Sequence, residues 1–438
     1  MLTRRALLSS VVVLAAASPA RAAIVGADLL PATGDRTEAF RAGLLRAVAE
    51  KRPFVLAPGT YRIGPIELPD GAQIHGTAGM TTLELVADGA ILRAGGAKRI
   101  VLSGLGFDGQ NRSAAGAQAL LAFADVGDLR IADCIVGRAG EIGILAERCG
   151  GRITGSTVSA IGTYGIFSRD GRGLTIADDT VADCGEGGIL VHRSQPGEDG
   201  AVVRGNRVER IRAKSGGTGQ VGNGINVFRA HGVAILDNRI LDCAFSGIRV
   251  NGGSNVRIIG NDIRRAGETA LYVEFRFQGA VVANNLIDGA ANGISIVNFN
   301  EGGRLATVTG NVVRNLRSTG PYPAGKPAFG FGIAVEADVA VGDNLIEGAP
   351  NCGLLVGWGA FQRNVTVTGN VVREAGFGVL VSVSEGAGAV VVVGNAFHEV
   401  KRGAIVGHRL GEAATGDLAA AGTAVPSPLT IANNRVAP

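Results

Sequence analysis

A four-residue phrase, small residue–Asn–any residue–Val or Ile, recurs from the middle of this chain to its end. It reads Gly205-Asn206-Arg207-Val208, Asp237-Asn238-Arg239-Ile240, Gly260-Asn261-Asp262-Ile263 and Asn284-Asn285-Leu286-Ile287. It continues at Asn311, Asn344, Asn370 and Asn395, and a last copy closes the chain at Asn434. Variants stand at the equivalent place at Cys134, Ser156 and Asp179, and successive copies mostly lie 23 to 27 residues apart. A period of this size marks a repeat architecture, in which each unit buries its apolar face only by stacking on its neighbours.

A second phrase lies between the copies: glycine followed by apolar–x–apolar, as in Gly224-Ile225-Asn226-Val227, Gly247-Ile248-Arg249-Val250 and Gly332-Ile333-Ala334-Val335. Alternation with period two in pieces this short predicts strands, not helices. Three short strands and three turns per repeat, with no crossover helix, predict an all-β, single-stranded, right-handed parallel β-helix. Its inward Val, Ile and Leu form one continuous core. The asparagines then read as a structural ladder. Amides at equivalent turns can hydrogen-bond from coil to coil, and Asn tolerates the left-handed backbone of a tight turn.

A solenoid also explains how 438 residues form one domain, because added coils leave the core cross-section unchanged. The 69 glycines sit among Val/Ile runs, so the chain turns often and is not a disordered one. Net charge is only +4 and no basic block is interleaved with aromatics, which argues against a nucleic-acid partner. Five cysteines are an odd number for a disulfide framework. Cys184 and Cys243 should lie two coils apart, about 9.6 Å, too far to bridge. They read as small buried residues.

The first residues have the form of an export signal. Arg4-Arg5 precede an apolar run from Ala6 to Ala17, and Ala20-Arg21-Ala22 offers a cleavage site. The run is short for a membrane span and no second candidate follows, so no membrane association is expected after cleavage. The paired arginines predict twin-arginine export and a periplasmic or secreted protein. Residues 1–22 are thus assigned to the signal, 23–72 to an N-terminal cap of one helix and short strands, and 73–438 to the β-helix. The cap helix is expected from Asp35 to Glu50, with Asp35 as N-cap and Phe40, Leu44, Leu45 and Val48 on one face. Residues 412–427, rich in Ala, Gly and Pro, are expected to form an irregular C-terminal cap or long loop before a final strand at 429–432.

Gly34-Asp35-Arg36-Thr37-Glu38-Ala39-Phe40, then Pro58-Gly59-Thr60-Tyr61, then Leu68-Pro69-Asp70 resemble the opening segment of the pectate-lyase-like β-helix superfamily. With the arginine pair and the Asn repeats, nearly the whole chain resembles the twin-arginine-translocated repeat proteins of that group. The resemblance implies the β-helix fold and a polysaccharide partner. It spans lyases, polygalacturonases, epimerases, tailspikes and adhesins, and so does not choose among reactions. The Asn-Thr-Asp, paired-Asp, Gly-His-Gly and Arg-Ile-Lys motifs of polygalacturonases are missing; Asp178-Asp179 falls at the ladder turn. The calcium-binding Asp set of pectate lyases has no counterpart here, so no cofactor is expected, and a calcium requirement has no support in the residues.

Comparing repeats locates a candidate site. In the Gly-apolar-x-apolar-x strand both x positions point away from the core. The first x gives a file running Leu190, Asn226, Arg249, Tyr272, Ser295, Ala334 and onward to Leu380 and Ile405. The second gives His192, Phe228, Asn251, Glu274, Val297, Glu336 and onward to Ser382 and Gly407. His192, Asn226, Arg249, Asn251, Tyr272 and Glu274 therefore fall on one face of four consecutive coils, with Arg229, Arg276 and Asn298 at the strand ends. Two long insertions, 212–222 with Lys214 and 317–329 with Tyr322 and Lys326, bracket this patch and are expected to wall a groove.

Three chemistries fit the patch. In a lyase or epimerase acting on an acidic, uronate-containing glycan, Arg249 neutralises the carboxylate. Tyr272 or His192 then serves as base or acid, and Glu274 orients them. In an inverting glycoside hydrolase, Glu274 and Glu336 are the two carboxylates, about 9.6 Å apart by backbone. In a non-catalytic solenoid the face binds a glycan or is structural. Trp358 falls at a coil corner, where packing is the expected role of one aromatic and stacking on a sugar the alternative.

Overall fold

The structure, a computed structural model, describes residues 24–25, 29, 31, 33–323, 325 and 328–437. Residues 1–22, read above as an export signal, and Lys326 lie outside these residues. The chain is a right-handed parallel β-helix with one helix near its start. A typical coil contains the strands Ala234–Leu236, Arg239–Cys243 and Ile248–Asn251. The first strands of successive coils form a 16-stranded sheet, and the second and third strands merge around a bend into a 28-stranded sheet.

The repeat phrases specify the register. Ile225 pairs with Ile248, Ile248 with Leu271, Leu271 with Ile294 and Ile294 with Ile333, all 0% exposed. Burying each such side chain stabilises the fold by about 1.5–3 kcal/mol. The glycine that opens the strand has a packing cause. A Cβ on Gly247 would stand 2.4 Å from Ile263 Cγ2, so the bend closes only without a side chain.

The asparagine ladder forms as expected. Each Nδ2 from Asn206 through Asn395 donates to the Oδ1 of the next ladder residue at 2.9–3.0 Å, ending on Asn434. The same Oδ1 accepts the backbone N–H of the preceding ladder residue, as Asn285 Oδ1 does from Asn261. One detail differs from expectation. The left-handed residue is the one before the ladder position, such as Asp237 (φ 54°), Gly260 (φ 73°) and Asn284 (φ 57°). The ladder amide is chosen for its hydrogen bonds, and its neighbour absorbs the turn.

The cap helix spans Thr37–Ala49, shorter at both ends than the expected Asp35 to Glu50, with Arg36 at the N-cap position. Asp35 still satisfies a helix donor, since its Oδ1 accepts the Thr37 N–H at 2.8 Å. Phe40 and Leu44 are buried, whereas Leu45 is 52% exposed because Gly43 and Ala47 complete the buried face instead. At the other end the strand Glu412–Asp417 pairs antiparallel with Ile405–Arg409, so this part of the 412–427 segment is regular. Leu429–Ala432 rejoins the parallel stack and one more strand, Arg435–Ala437, follows it. All five cysteines are free and buried. Among the described residues no helix is long and apolar enough to cross a membrane.

Candidate functional site

Strand pairing brings the two outward files together as their spacing implies. Asn226 pairs with Arg249, Arg249 with Tyr272 and Tyr272 with Ser295, while Phe228 pairs with Asn251 and Asn251 with Glu274. At the far end the files shift by one residue: Leu380 pairs with Val406 and Ser382 with His408, not with Ile405 and Gly407. Both insertions fold over this face. The carbonyl of Gly219 accepts a hydrogen bond from Arg249 Nη1, and the hydroxyl of Tyr322 donates to Glu268 at 2.5 Å.

The polar face divides into three neighbourhoods. His192 lies between the rings of Phe167 and Phe228, 5.0 and 5.6 Å away, and hydrogen-bonds Asn226 Oδ1 at 3.3 Å. Burial lowers its pKa to about 4, against the Asn226 contact, so the ring is neutral.

Arg249 and Glu274 form the second. Nε donates to Oε1 at 2.6 Å, Asn251 Nδ2 donates to the same oxygen at 3.2 Å, and the guanidinium lies 5.3 Å from the Tyr272 ring centre. Burial opposes the charge on Arg249, but Glu274 outweighs it and holds its pKa above the usual value.

The third is a cavity of about 350 Å³ over the four coils of Tyr272, Ser295, Ala334 and Leu355. Its floor is Tyr272, Asn292, Ser295 and Phe331, its walls are Phe329 and Trp358, and Glu268 and Glu336 also line it. Tyr322 and Phe329, from the second insertion, pack ring to ring at 5.4 Å. Burial pushes Glu336 up to about 7, ahead of the opposing N–H of Phe299, which donates to Oε2 at 2.6 Å. Glu268 is likewise raised, by burial first, despite the Tyr322 hydroxyl and the Arg249 charge. Burial and then the Glu274 charge raise Tyr272, which keeps its phenol protonated.

Of the residues expected at the site, Tyr272 and Glu336 line this cavity, whereas Arg249, Glu274, Asn226 and His192 stand beside it. Arg229, Asn251 and Arg276 line a separate cavity at the strand ends. Asn298 holds the turn between the two, its Oδ1 accepting the Phe275 N–H at 3.3 Å.

Repeat comparison overlooked a third outward file, the residue just before the glycine: Asn223, Ser246, Thr269 and Asn292. All four are buried and polar, and Thr269 pairs with Asn292 in register. Glu268 sits one residue before this file, and its signal was a carboxyl directly preceding it. Among the described residues no three His, Cys, Asp or Glu side chains cluster in a way that could hold a metal ion.

Residues 142–313 match the family described as the right-handed β-helix region. No curated protein matches the sequence. Among solved structures, the gene product 12 N-terminal fragment of bacteriophage phi29 superposes with a TM-score of 0.55 at 14% identity, covering 86% of this chain and 67% of that one. The A-module of the mannuronan C-5 epimerase AlgE4 of Azotobacter vinelandii gives 0.48 at 16% identity, covering 81% and 96%. The surface adhesin PfbA of Streptococcus pneumoniae gives 0.48 at 12% identity, covering 87% and 91%. The likeness to the phage protein, with the family match over the central coils, is one of fold: this chain is a right-handed parallel β-helix.

Proposed function

We propose that the cavity above Tyr272 and Ser295 binds the sugar rings of a polysaccharide, and that the protein does so outside the cytoplasm, as its signal-like first residues imply. The observation that carries the reading is the make-up of that cavity. Aromatic side chains of Trp358, Phe329 and Phe331 line it beside the polar floor residues Tyr272, Asn292 and Ser295. Ring faces suit the apolar faces of a sugar, and floor hydroxyls and amides suit its rim. The carboxyl groups of Glu268 and Glu336 in the lining disfavour an anionic sugar unit at this point. Glu336 is the group equipped for chemistry, because a carboxyl still protonated near neutral pH can donate its proton to a glycosidic oxygen.

A panel of neutral polysaccharides tests this reading. Release of reducing ends, lost in Glu336→Gln while binding persists, supports glycoside cleavage; binding without release assigns a binding module. Neither binding nor release across the panel overturns the reading.

A uronate lyase or epimerase is the second reading, favoured by the guanidinium of Arg249 over the Tyr272 ring. It predicts ultraviolet absorbance from unsaturated uronate on pectin or alginate, or their epimerisation, abolished in Tyr272→Phe.

A further inference from the structure

The second cavity, of about 720 Å³, lies on the other side of the turn that closes the first. The loop at residues 298–303 joins them: the Phe299 N–H binds Glu336 of the first cavity, and Glu301 stands 3.7 Å from Arg276 of the second. Arg276 and Glu336 belong to coils two apart, about 9.6 Å along the stack, a span that one oligosaccharide can bridge.

The chemistry of the second cavity is cationic and aromatic. Arg229 lays its guanidinium 4.6 Å from the Phe228 ring centre and gives one N–H to the Ser194 carbonyl at 3.1 Å. Among the described residues no carboxylate pairs with it. The pair of Arg276 with Glu301 is loose, with side chains 82% and 42% exposed, so solvent screens it and the guanidinium is open to another anion. His231 Nδ1 accepts the Ser254 N–H at 3.0 Å, which places the proton of the neutral ring on Nε2 as a further donor.

Phe275 adds an independent observation. It lines the same cavity, is 36% exposed and has φ 61°, a left-handed conformation unfavourable for a bulky residue. The equivalent positions of the flanking coils use Gly252 (φ 65°) and Asn298 (φ 71°), residues that adopt this backbone readily. The left-handed turn itself recurs along the column, as at Arg229 (φ 56°) and Asp170 (φ 52°), so what singles out Phe275 is an aromatic ring exposed beside the two arginines.

We infer that Arg229, Arg276 and Phe275 form a subsite for an anionic sugar, carrying a carboxylate or a sulfate ester, so that the ligand is an acidic heteropolysaccharide. This rests on the glycan reading of the first cavity: an uncharged unit lies against Trp358 while an acidic neighbour reaches the arginines.

Calorimetric titration of the full chain with tetragalacturonate, a chondroitin sulfate tetrasaccharide and cellotetraose tests the subsite. At least one acidic probe is expected to bind, about tenfold or more weaker in Arg229→Gln/Arg276→Gln and weaker as salt rises. Binding of the uronate alone assigns a carboxylate, and of the sulfated probe alone a sulfate ester. The thermal midpoint of the double variant, whose two side chains lie at the surface, checks that it folds. The inference is overturned if neither acidic probe binds, or if the folded double variant binds them as the parent does. A Trp358 emission response to cellotetraose reports on the first cavity separately, so either cavity can fail alone.

Discussion

Arg249 and Glu274 form an ion pair across adjacent coils: Nε stands 2.6 Å from Oε1, with the side chains 13% and 2% exposed. Insertion 212–222 closes over it through the Gly219 carbonyl, and the Tyr272 ring packs against it. The pair stands at the edge of the cavity above Tyr272 without lining it. Removing one partner leaves the other charge buried, so Arg249→Met should destabilise the protein by about 3–5 kcal/mol in denaturant unfolding. Arg249→Met with Glu274→Leu should recover much of that loss. An unchanged unfolding midpoint in the single variant contradicts this account of the pair.

Gly219 should tolerate no side chain. Its φ is +112°, and a Cβ there would stand 2.2 Å from Arg249 Nη1. Gly219→Ala is therefore expected to lower the thermal midpoint, and to do so much less in an Arg249→Met background, where the guanidinium is gone. Equal losses in both backgrounds would locate the effect in the loop backbone alone.

The ladder should be sensitive one rung at a time. Asn285 donates to Asn311 Oδ1 and to the Ile258 carbonyl and accepts from Asn261, so Asn285→Ala strands several buried polar groups. A loss of about 2–3 kcal/mol is expected, with Asn285→Asp little better because a carboxylate cannot donate. Hydrogen exchange should accelerate first at the Asn261 amide, whose acceptor is Asn285 Oδ1.

Stability should fall with pH on account of Glu336. Its folded pKa, about 7, lies above the ordinary value of 4.5. The folded state therefore binds more protons between those limits, and stability present below pH 4.5 is lost as pH rises through 7. Glu336→Gln should match the parent near pH 4 and exceed it by about 3 kcal/mol at pH 8, in paired denaturant titrations. His192 acts in the opposite sense. Its folded pKa of about 4 lies below the ordinary 6.5, so its contribution grows with pH across that window, and comparing variants at each pH separates the two.

Much of this arrangement was legible in the residues. Period and phrase placed Asn226, Arg249 and Tyr272 on successive coils, and the position of the insertions put both over the same face. What escaped detection depended on the course of the chain between repeats. Glu268 and the Asn223-Ser246-Thr269-Asn292 file lie at the bend before the strand, where alternation gives no hint of direction. Trp358 read as corner packing, because only the folded 317–329 insertion shows that it faces a cavity. The shift from Ile405 to Val406 arose where Ala404 replaces the usual strand-opening glycine and the closing antiparallel strand begins. Helical spacing places Leu45 on the apolar face with Phe40 and Leu44, but cannot say that Gly43 and Ala47 supply the close contact instead.

Trp358 is the sole tryptophan of the chain, so its emission reports the state of the cavity wall directly. Titration of the full chain with neutral oligosaccharides should shift that emission saturably. The response should disappear in Tyr272→Ala and in Phe329→Ala, which remove floor and wall while Trp358 remains. Oligosaccharide binding seen by calorimetry with no change in Trp358 emission, or a response untouched by both variants, would contradict the placement of the sugar in this cavity.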